Sequence, residues 1–348
     1  MSDLPLAALV LVGGYGTRLR PLTFTRSKPL VEFCNKPMVE YQLDALTEAG
    51  CEKIIFALSE LQNDLKQFID DYQKRHPNVK IIPSVETEPL GTAGPIALAK
   101  DHLAGHRFFM LNSDIISPYP FKDLLKFHLH RGGEGTIMSW DVEDPSRFGV
   151  ILSDEDSCIT SFVEKPKNYV GNAINAGHYI FEPSIIDRIK PQPTSIEREI
   201  FPKMAAEHRL FVMKLEGFWM DIGTPEAFIS CIPIFLKSNN RILIDETAKI
   251  GEGCNIGPNV VIGPNVVVEG CCTISNSVIM AGSRISKGSC VQGSIVGWRC
   301  NIGRWVHLNS LCVLGENVTV KDKCILNGAM VCPHKTIDSS HYMPEKII

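Results

Sequence analysis

The sequence lacks the features of a nucleic-acid binder and of a membrane protein. Its 348 residues include 35 Lys or Arg and 39 Asp or Glu, so the formal net charge is −4 and the pI is near 6.2. Such a balance provides no basic stripe for a polynucleotide backbone. No apolar run approaches a ~20-residue membrane span, and the first residues carry no charged region of a secretory leader. We therefore expect a cytoplasmic protein that binds neither nucleic acid nor membrane.

The sequence also lacks any C-x-x-C pair, although it has twelve cysteines. Without a leader or a paired spacing, they favour reduced thiols over a disulfide framework or a zinc site. Some of them occupy the fifth place of a six-residue repeat, where a small inward side chain fits: Cys254, Cys272, Cys300, Cys312 and Cys324. We expect these five to be buried core residues.

The chain has two regions with different sequence patterns. Up to about residue 236, short apolar strands such as 53–58 and 107–111 alternate with helical patterns at 37–49, 61–74 and 95–103. This alternation predicts a mostly parallel sheet with helices on both faces. We predict an α/β domain over 1–236, a short linker over 237–248 and a repeat domain over 249–348.

In the repeat domain an aliphatic residue recurs every six residues. The positions are Ile250, Ile256, Ile262, Val268 and Ile274, then Ile302, Leu308, Leu314, Val320 and Leu326, with Met280, Ile285, Val291 and Val296 bridging them through two five-residue steps. A short strand and a turn per hexad predict a parallel β-helix. Open ends and apolar flanks of such a helix favour a homo-oligomer. Acyl transfer in the β-helix stays open as an alternative, with His307 or His334 as the base.

A glycine-rich turn follows the first apolar strand. Residues 6–12 lead into Gly13-Gly14-Tyr15-Gly16-Thr17-Arg18, and Lys28 comes ten residues later. Backbone N–H groups of such a turn can bind an anion, and the two cations add charge. A dinucleotide fingerprint is excluded because Leu19 replaces its third glycine, and a Walker loop is excluded because Gly-Lys-Ser/Thr is missing. The turn predicts a triphosphate site held by Arg18 and Lys28; a tight connection without a ligand is the alternative.

Two aspartates lie at positions where they could share a metal ion. Asp114 follows the strand 107–111, and Asp221 lies in the turn Trp219-Met-Asp-Ile-Gly. Mg²⁺ prefers one or two carboxylates together with phosphate oxygens and waters. Either residue alone could simply cap a helix. Beside a phosphate loop, the pair predicts a Mg²⁺ site.

Taken in order, these motifs resemble those of the sugar-1-phosphate nucleotidyltransferases. The matching phrases are Gly-Gly-Tyr-Gly-Thr-Arg, Ser-Lys-Pro, Leu-Asn-Ser-Asp, Val-Glu-Lys-Pro, Asn-Ala-Gly and Trp-Met-Asp-Ile-Gly. Residues 33–37, 88–95, 192–197, 217–223 and 295–300 favour the members that form GDP-mannose. The family implies a Rossmann-like, mostly parallel α/β sheet of the nucleotidyltransferase type, followed by a left-handed parallel β-helix of hexapeptide repeats.

The resemblance also implies a role for individual residues. Arg18 and Lys28 would hold the triphosphate, Lys165 the sugar phosphate and α-phosphate, and Asp114 and Asp221 the Mg²⁺ ion. The remaining residues would contact nucleotide or sugar: Leu11, Gly13, Gly14, Gly16, Thr17, Gly91, Asn112, Gly149, Glu164 and Asn175.

The implied reaction joins GTP and mannose 1-phosphate into GDP-mannose and releases pyrophosphate. Three alternatives stay open: another nucleotide, another sugar 1-phosphate, or a regulatory relative that binds a nucleotide sugar without turnover. Such a relative is also a possible partner. The connection from Phe235 to Asp245 is shorter than the family leads us to expect, so the sequence fixes neither the domain orientation nor the oligomer size.

Overall fold

The computed structural model describes residues 4–237 and 241–348. These residues form two compact units. The first unit comprises 4–14 and 39–219, and the second comprises 15–38, 220–237 and 241–348. Part of the predicted linker, residues 238–240, lies outside the described residues.

A nine-stranded sheet forms the centre of the first unit. Its strand Leu6–Leu11 is apolar and buried over Ala7–Val10, and it pairs in parallel with Lys53–Leu58 on one side and Arg107–Asn112 on the other. In sheet order the strands are Ile159–Glu164, Gly149–Ser153, Ala173–Phe181, Arg107–Asn112, Leu6–Leu11, Lys53–Leu58 and Lys80–Val85. Gly135–Asp141 pairs with Ala173–Phe181 and with Leu210–Lys214.

The prediction of a mostly parallel sheet is wrong for one half of this sheet. Ala173–Phe181 runs antiparallel to Arg107–Asn112, to Gly135–Asp141 and to Gly149–Ser153, so the sheet is mixed. Parallel neighbours need a long crossover, usually a helix, whereas antiparallel neighbours can follow a short loop. No helix interrupts residues 142–182, and three successive strands there pair in antiparallel fashion.

The three predicted helices lie close to their predicted positions, with one break, and the structure adds two more in this region. The α-helices outside the second unit's C-terminal part are Met38–Glu48, Asn63–Arg75, Gly94–Leu98, Lys100–Leu103, Phe121–Arg131 and Phe201–Ala206. The helix predicted at 95–103 is therefore two short helices separated by Ala99. Leu9, Ile55, Phe108 and Tyr179 belong to the buried core that these elements share. No helix among the described residues has both the length and the apolarity to cross a bilayer.

The second unit starts with short turns and continues with a helix. Its early part, 15–38, contains the 3-10 turns Thr17–Leu19, Leu22–Phe24 and Lys28–Leu30 and the hairpin Glu32–Phe33 with Lys36–Pro37. The helix Pro225–Phe235 begins after Thr224, whose hydroxyl accepts a hydrogen bond from the Ala227 amide at 3.3 Å.

Three parallel sheets build the rest of this unit, and successive strands visit them in turn. The first sheet contains Ile242–Ile244, Val260–Ile262, Ser277–Ile279, Ile295–Val296, Val313–Leu314, Met330–Val331 and Lys346–Ile347. The second contains Lys249–Ile250, Val267–Val268, Arg284–Ile285, Asn301–Ile302, Thr319–Val320 and Thr336–Ile337. The third contains Asn255–Ile256, Thr273–Ser275, Cys290–Gln292, His307–Asn309 and Ile325–Asn327. This is the predicted parallel β-helix, and its first strand, Ile242–Ile244, lies within the stretch predicted as linker.

The register of the repeat differs from the prediction at one step. Ile279, and not Met280, pairs with Ile262 on one side and Val296 on the other, and it lies in the buried core. The chain therefore shortens by one residue directly after Ile274. The corner there turns through left-handed Asn276 (φ 48°), two residues after Ile274, whereas the six-residue step before it turns through left-handed Cys271 (φ 60°), three residues after Val268.

The repeat cysteines are mostly buried, as predicted. Cys272, Cys300, Cys312 and Cys324 belong to the β-helix core, and Cys254 packs against it while half-buried. Burial raises the pKa of the Cys300 thiol to about 12, which disfavours the reactive thiolate.

Candidate functional site

A cavity of about 260 Å³ lies at the carboxyl end of the first strand. Leu11, Gly13, Gly14 and Gly91 line it together with Ala57, Glu86, Pro89, Thr92 and Pro95. The Val12 amide donates to the Ala57 carbonyl at 3.0 Å, which fixes the start of the glycine-rich turn beside the next strand. In doubly wound sheets, ligands bind in this position, beyond the carboxyl ends of the strands. The structure thus brings together four residues predicted to bind nucleotide.

The wall of this cavity is a turn that is tied to a distant part of the chain. Gly91 has a left-handed backbone (φ 72°), and a Cβ atom there would lie 2.6 Å from the Thr194 carbonyl oxygen. The Ala93 amide donates to that same oxygen at 3.0 Å, and the Thr194 amide donates to the Leu90 carbonyl at 3.0 Å. Only glycine allows the two segments to approach so closely.

Asn112 lies at the end of the neighbouring strand, and Asp114 follows it in a turn. The Gln42 side chain donates to the Asn112 carbonyl at 2.9 Å and to the Ile115 carbonyl at 3.2 Å. It therefore holds both ends of the turn that carries Asp114. A Cβ atom on Gly177 (φ 74°) would lie 2.7 Å from Asn112 Nδ2, so Asn112 and Gly177 are also close together.

A second cluster of predicted residues surrounds Glu164 in the first unit. Glu164 pairs with Gly149 across two antiparallel strands, and a Cβ atom on Gly149 would lie 2.8 Å from Glu164 Oε2. Lys165 follows with a left-handed backbone (φ 48°), its amide donating to the Phe148 carbonyl at 3.0 Å. Its ammonium lies 3.6 Å from Glu164 Oε1 and is largely exposed. The predicted pair is thus an exposed cation beside a half-buried carboxylate.

Burial and a neighbouring carboxylate set the electrostatics of Glu164. Burial raises the pKa of this carboxyl, the negative charge of Glu197 raises it further, and Lys165 acts in the opposite direction. The Tyr179 hydroxyl accepts a hydrogen bond from Asn175 Nδ2 at 2.8 Å, and its pKa is raised by burial and by the charge of Glu197. Asn175 Oδ1 accepts from the Gly177 amide at 3.0 Å. Tyr179 is 1% exposed, so it orients Asn175 from below, and the half-buried Glu164 carboxylate and Asn175 amide are the polar groups on the ligand side of this cluster.

The predicted triphosphate-binding residues, Arg18 and Lys28, lie in the second unit. A Cβ atom on Gly223 would lie 2.9 Å from an Arg18 guanidinium nitrogen and 2.9 Å from Asp221 Oδ1, and the Gly223 amide donates to Asp221 Oδ1 at 3.0 Å. Arg18 and Asp221 therefore converge on one backbone position. Thr17 and Arg18 also line a cavity of about 540 Å³ beside the start of the helix Pro225–Phe235.

Gly16 and Lys28 form the second contact of this group. Gly16 is left-handed (φ 61°), and a Cβ atom there would lie 2.9 Å from the Thr23 methyl and 3.1 Å from Lys28 Cβ. The Thr23 hydroxyl donates to the Gly16 carbonyl at 2.7 Å. The glycine-rich turn thus returns on itself and brings the backbone before Arg18 next to Lys28.

The predicted residues divide between the units as follows. The first unit holds Leu11, Gly13, Gly14, Gly91, Asn112, Asp114, Gly149, Glu164, Lys165 and Asn175, and the second holds Gly16, Thr17, Arg18, Lys28 and Asp221. Sequence reasoning missed three residues that the geometry adds: Gln42, Glu197 and Gly223. Glu197 belongs to the motif 192–197, which supported the family resemblance, but the motif assigned no role to this residue. Gln42 lies within a helical pattern and gave none.

The donor set suits a hard divalent cation. Asp114 lies in the turn after the strand Arg107–Asn112, whereas Asp221 ends the short strand Met220–Asp221. Both carboxylates are half-buried, and oxygen ligands are those Mg²⁺ takes. Asp221 accepts the Gly223 amide through Oδ1, a contact that fixes the carboxylate orientation as outer-shell hydrogen bonds do at metal sites. Each carboxylate, within its own unit, thus has the chemistry of a Mg²⁺ ligand, and the shared Mg²⁺ site stays a prediction.

Comparisons with known proteins identify the family of this chain. The family model described as nucleotidyl transferase matches residues 7–238, and the one described as GMPPB C-terminal domain matches residues 238–348. A Drosophila melanogaster protein named mannose-1-phosphate guanylyltransferase catalytic subunit beta is 49% identical over 98% of this chain and 97% of its own length. Mannose-1-phosphate guanylyltransferase 1 from Arabidopsis thaliana is 46% identical over 99% of this chain and 100% of its own.

One solved structure supports the fold alone. It comes from Bacillus anthracis, is named for an assigned glucose-1-phosphate thymidylyltransferase activity, and contains sucrose. It superposes with a TM-score of 0.56 at 22% identity over 63% of this chain and 90% of its own. The predicted fold, a Rossmann-like nucleotidyltransferase sheet followed by a left-handed β-helix of hexapeptide repeats, is confirmed apart from the antiparallel half of the sheet. The chain is thus a nucleotidyltransferase, and it belongs to the nucleotidyl transferase family, in the group of the mannose-1-phosphate guanylyltransferases of the beta type.

Proposed function

We propose that this chain transfers GMP from GTP to mannose 1-phosphate. A phosphate oxygen of mannose 1-phosphate attacks the α-phosphorus of GTP in line and forms the new P–O bond. The bond from the α-phosphorus to its bridging oxygen breaks, and the electron pair leaves with pyrophosphate. The products are GDP-mannose and pyrophosphate, and no covalent bond to the protein forms.

The observation that carries the proposal is that the first unit holds a cavity beside Gly91 and a separate polar cluster around Glu164. The cavity beside Gly91 has backbone walls suited to a flat base. The Glu164 cluster places a carboxylate that can accept from sugar hydroxyls beside the exposed ammonium of Lys165. The relatives named for mannose 1-phosphate and guanylyl transfer match nearly the whole chain, which supports the choice of substrates.

Catalysis in this proposal is positioning together with neutralisation of charge. Arg18 can fork onto two phosphate oxygens and Lys28 adds a compact charge. The exposed ammonium of Lys165, held at a fixed backbone conformation, binds the sugar phosphate and the α-phosphate oxygens. Preorganised charges aimed at developing negative charge are usually the largest contribution to such a rate enhancement.

Mg²⁺ would be held by Asp114 and Asp221, and when bound it supplies charge neutralisation at the phosphate oxygens. Other groups of the protein orient those two carboxylates. Gln42 fixes the turn of Asp114, and the Gly223 amide fixes one oxygen of Asp221.

The test is pyrophosphate release by the full chain with Mg²⁺, using GTP, ATP, UTP and dTTP against mannose 1-phosphate and glucose 1-phosphate. We expect release with GTP and mannose 1-phosphate above all other pairs. Lys165→Ala should lower kcat/KM by about 10²- to 10³-fold, as for loss of one preorganised donor. The matched control is Lys167→Ala, an exposed lysine two residues away, which should leave the rate unchanged.

Other outcomes favour the alternatives. Preference for another nucleotide or sugar would keep the chemistry and change the specificity. Absence of release in every pair, with GDP-mannose still bound, would favour a regulatory relative. Acyl-CoA hydrolysis or transfer that depends on His307 or His334, both exposed, would favour the acyltransferase.

We also propose a cytoplasmic homo-oligomer. Twelve unpaired cysteines are typical of a reducing compartment. Ile244 and Ile250, in the first coil of the β-helix, are large exposed aliphatic residues that a second copy or a regulatory relative could cover. Cell fractionation tests the first point, and light scattering of the purified chain tests the second.

A further inference from the structure

Trp298 of the β-helix contacts the segment that carries Lys28, and both lie in the second unit. Trp298 belongs to the turn after the strand Ile295–Val296 and is 1% exposed. A buried indole needs a partner for its N–H group. Trp298 Nε1 donates to Glu32 Oε2 at 2.7 Å, across 266 residues of sequence.

Arg26 completes a cluster of three groups, Arg26, Glu32 and Trp298, which we call the Trp298 cluster. The Arg26 guanidinium lies 4.2 Å from the centre of the Trp298 ring, and its Nη1 lies 3.1 Å from Glu32 Oε1. The two carboxylate oxygens of Glu32 thus receive one donor each. Both side chains are less than one third exposed, and desolvated cation–π contacts are stronger than exposed ones.

Burial has a consequence for Glu32. It raises the pKa of the Glu32 carboxyl, while Arg26 and the Trp298 hydrogen bond lower it. A half-buried carboxylate that loses one donor is costly, because its desolvation is then uncompensated. Substitution of any one of Arg26, Glu32 and Trp298 should therefore weaken the contacts of the other two.

Lys28 lies between the two anchored residues. It starts the 3-10 turn Lys28–Leu30, which is closed by the Leu30 amide to the Ser27 carbonyl at 2.9 Å. Arg26 precedes this turn by two residues, and Glu32 follows it by two. Trp298 therefore holds both ends of the turn, and the turn brings Lys28 against Gly16, next to the loop of Arg18.

A second set of contacts anchors the hairpin after Glu32. Asn35 Nδ2 donates to the Ile262 carbonyl at 3.0 Å, and the Phe33 ring lies 5.3 Å from the rings of Phe228 and Phe235. These contacts hold the hairpin without Trp298. Loss of the indole N–H should therefore loosen the Lys28 turn and leave the unit folded.

We propose that Trp298 is a positioning residue for nucleotide binding: the β-helix, through Trp298, fixes Arg26 and Glu32 and so sets where Lys28 meets the triphosphate. This inference rests on the proposed function in one respect, the role of Lys28. It gives the β-helix a part in catalysis that is separate from self-association.

The first experiment compares two equal substitutions in the β-helix. Trp298→Phe keeps a ring under Arg26 and removes the N–H donor. Trp305→Phe is the matched control, because Trp305 also lies in a turn of the β-helix but is 55% exposed. For Trp298→Phe we expect the KM for GTP to rise about tenfold or more, since a displacement of 1 Å can cost on the order of 100-fold. The KM for mannose 1-phosphate should stay within about twofold, and Trp305→Phe should change neither.

A second measurement does not depend on turnover. Amide hydrogen exchange of peptides covering 26–33 should be faster in Trp298→Phe and unchanged in Trp305→Phe. Glu32→Gln keeps an acceptor for the indole and removes the charge that pairs with Arg26. Combined with Trp298→Phe, its effect on the KM for GTP should be clearly less than additive, as for residues that share one network.

The outcomes separate this inference from the proposed function. An unmodified chain that releases no pyrophosphate would refute the proposed function, and the exchange measurement would still report on the Lys28 turn. Equal losses for both substrates in Trp298→Phe, or unchanged exchange at 26–33, would show a general structural role and refute the positioning role.

Discussion

Gly91→Ala introduces one methyl group at the wall of the cavity beside the first strand. Gly91 is left-handed (φ 72°), and its added Cβ would lie 2.6 Å from the Thr194 carbonyl oxygen and 3.1 Å from the Thr194 carbonyl carbon. Gly105→Ala is the matched control. Its backbone is also left-handed (φ 74°), but no atom lies within 4 Å of the added Cβ.

The two variants share one cost and differ in the other. A left-handed alanine costs about 1 to 2 kcal/mol, and both variants pay it. At Gly91 the Thr194 backbone must also retreat, which costs about 1 to 3 kcal/mol for overpacking. The retreat weakens the Ala93 amide bond to the same oxygen, worth about 1 kcal/mol. We therefore expect Gly91→Ala to be less stable than Gly105→Ala by about 1 to 4 kcal/mol.

Urea denaturation measures that difference, and pyrophosphate release measures its effect on the cavity. Because the Gly91 turn lines the cavity, Gly91→Ala should also raise the KM for GTP, and Gly105→Ala should not. Equal free energies of unfolding for the two variants would refute the close approach of Gly91 and Thr194. A stability loss without any change in the KM for GTP would separate the turn from nucleotide binding.

Two further predictions concern buried charge in the first unit. Arg188→Ala should lower the free energy of unfolding by about 3 kcal/mol, because it removes the main partner of Glu134, which is 3% exposed and bonded to Arg188 at 2.6 Å. The control Arg209→Ala should cost under about 1 kcal/mol, because Arg209 lies 3.7 Å from Glu134 and is largely exposed. Equal losses for the two variants in urea denaturation at pH 7 would contradict the prediction. Burial lowers the pKa of His178 to about 4. On acidification the imidazole is therefore protonated first in the unfolded chain, and the free energy of unfolding falls as the pH drops from about 6.5 to about 4. NMR should show no titration of the His178 imidazole above pH 5, and a midpoint near 6.5 would contradict the prediction.

Local patterns were enough to predict residues that the structure brings together. Strand ends and glycine turns are encoded by neighbouring residues, so Leu11, Gly13, Gly14 and Gly91 could be assigned before their common cavity was known. The Glu164 and Lys165 pair was found in the same way. The tie between Gly91 and Thr194 was not, because it joins residues about a hundred positions apart and involves only backbone atoms that no side-chain pattern reports.

The direction of strands was harder to predict than their existence. Residues 149–153, 159–164 and 173–181 are strands, but they pair in antiparallel fashion, and hydrophobic alternation alone does not distinguish the two arrangements. In the β-helix, Met280 lies six residues after Ile274, and Ile279 lies six residues before Ile285, so the six-residue count fits either residue. Only the pairing of Ile279 with Ile262 and Val296 decides between them.

The predicted domain limits, 1–236, 237–248 and 249–348, stay predictions. Long-range contacts explain why local sequence patterns do not show which segments pack together. Residues 15–38 belong with the β-helix unit through bonds such as Asn35 to Ile262 and Trp298 to Glu32, which span 227 and 266 positions. No periodicity can report a contact over that distance.

The hexad pattern explains the inward residues of the β-helix and leaves the outward ones unconstrained. Trp298 and Trp305 both lie in turns between strands, so the repeat gives no reason to treat them differently. In the structure Trp298 is 1% exposed and Trp305 is 55% exposed. An outward side chain of a β-helix can be buried only by something outside the repeat, and for Trp298 that is Arg26 and Glu32. The burial of Trp298 at an outward position is therefore the observation from which we infer that this coil positions the Lys28 turn.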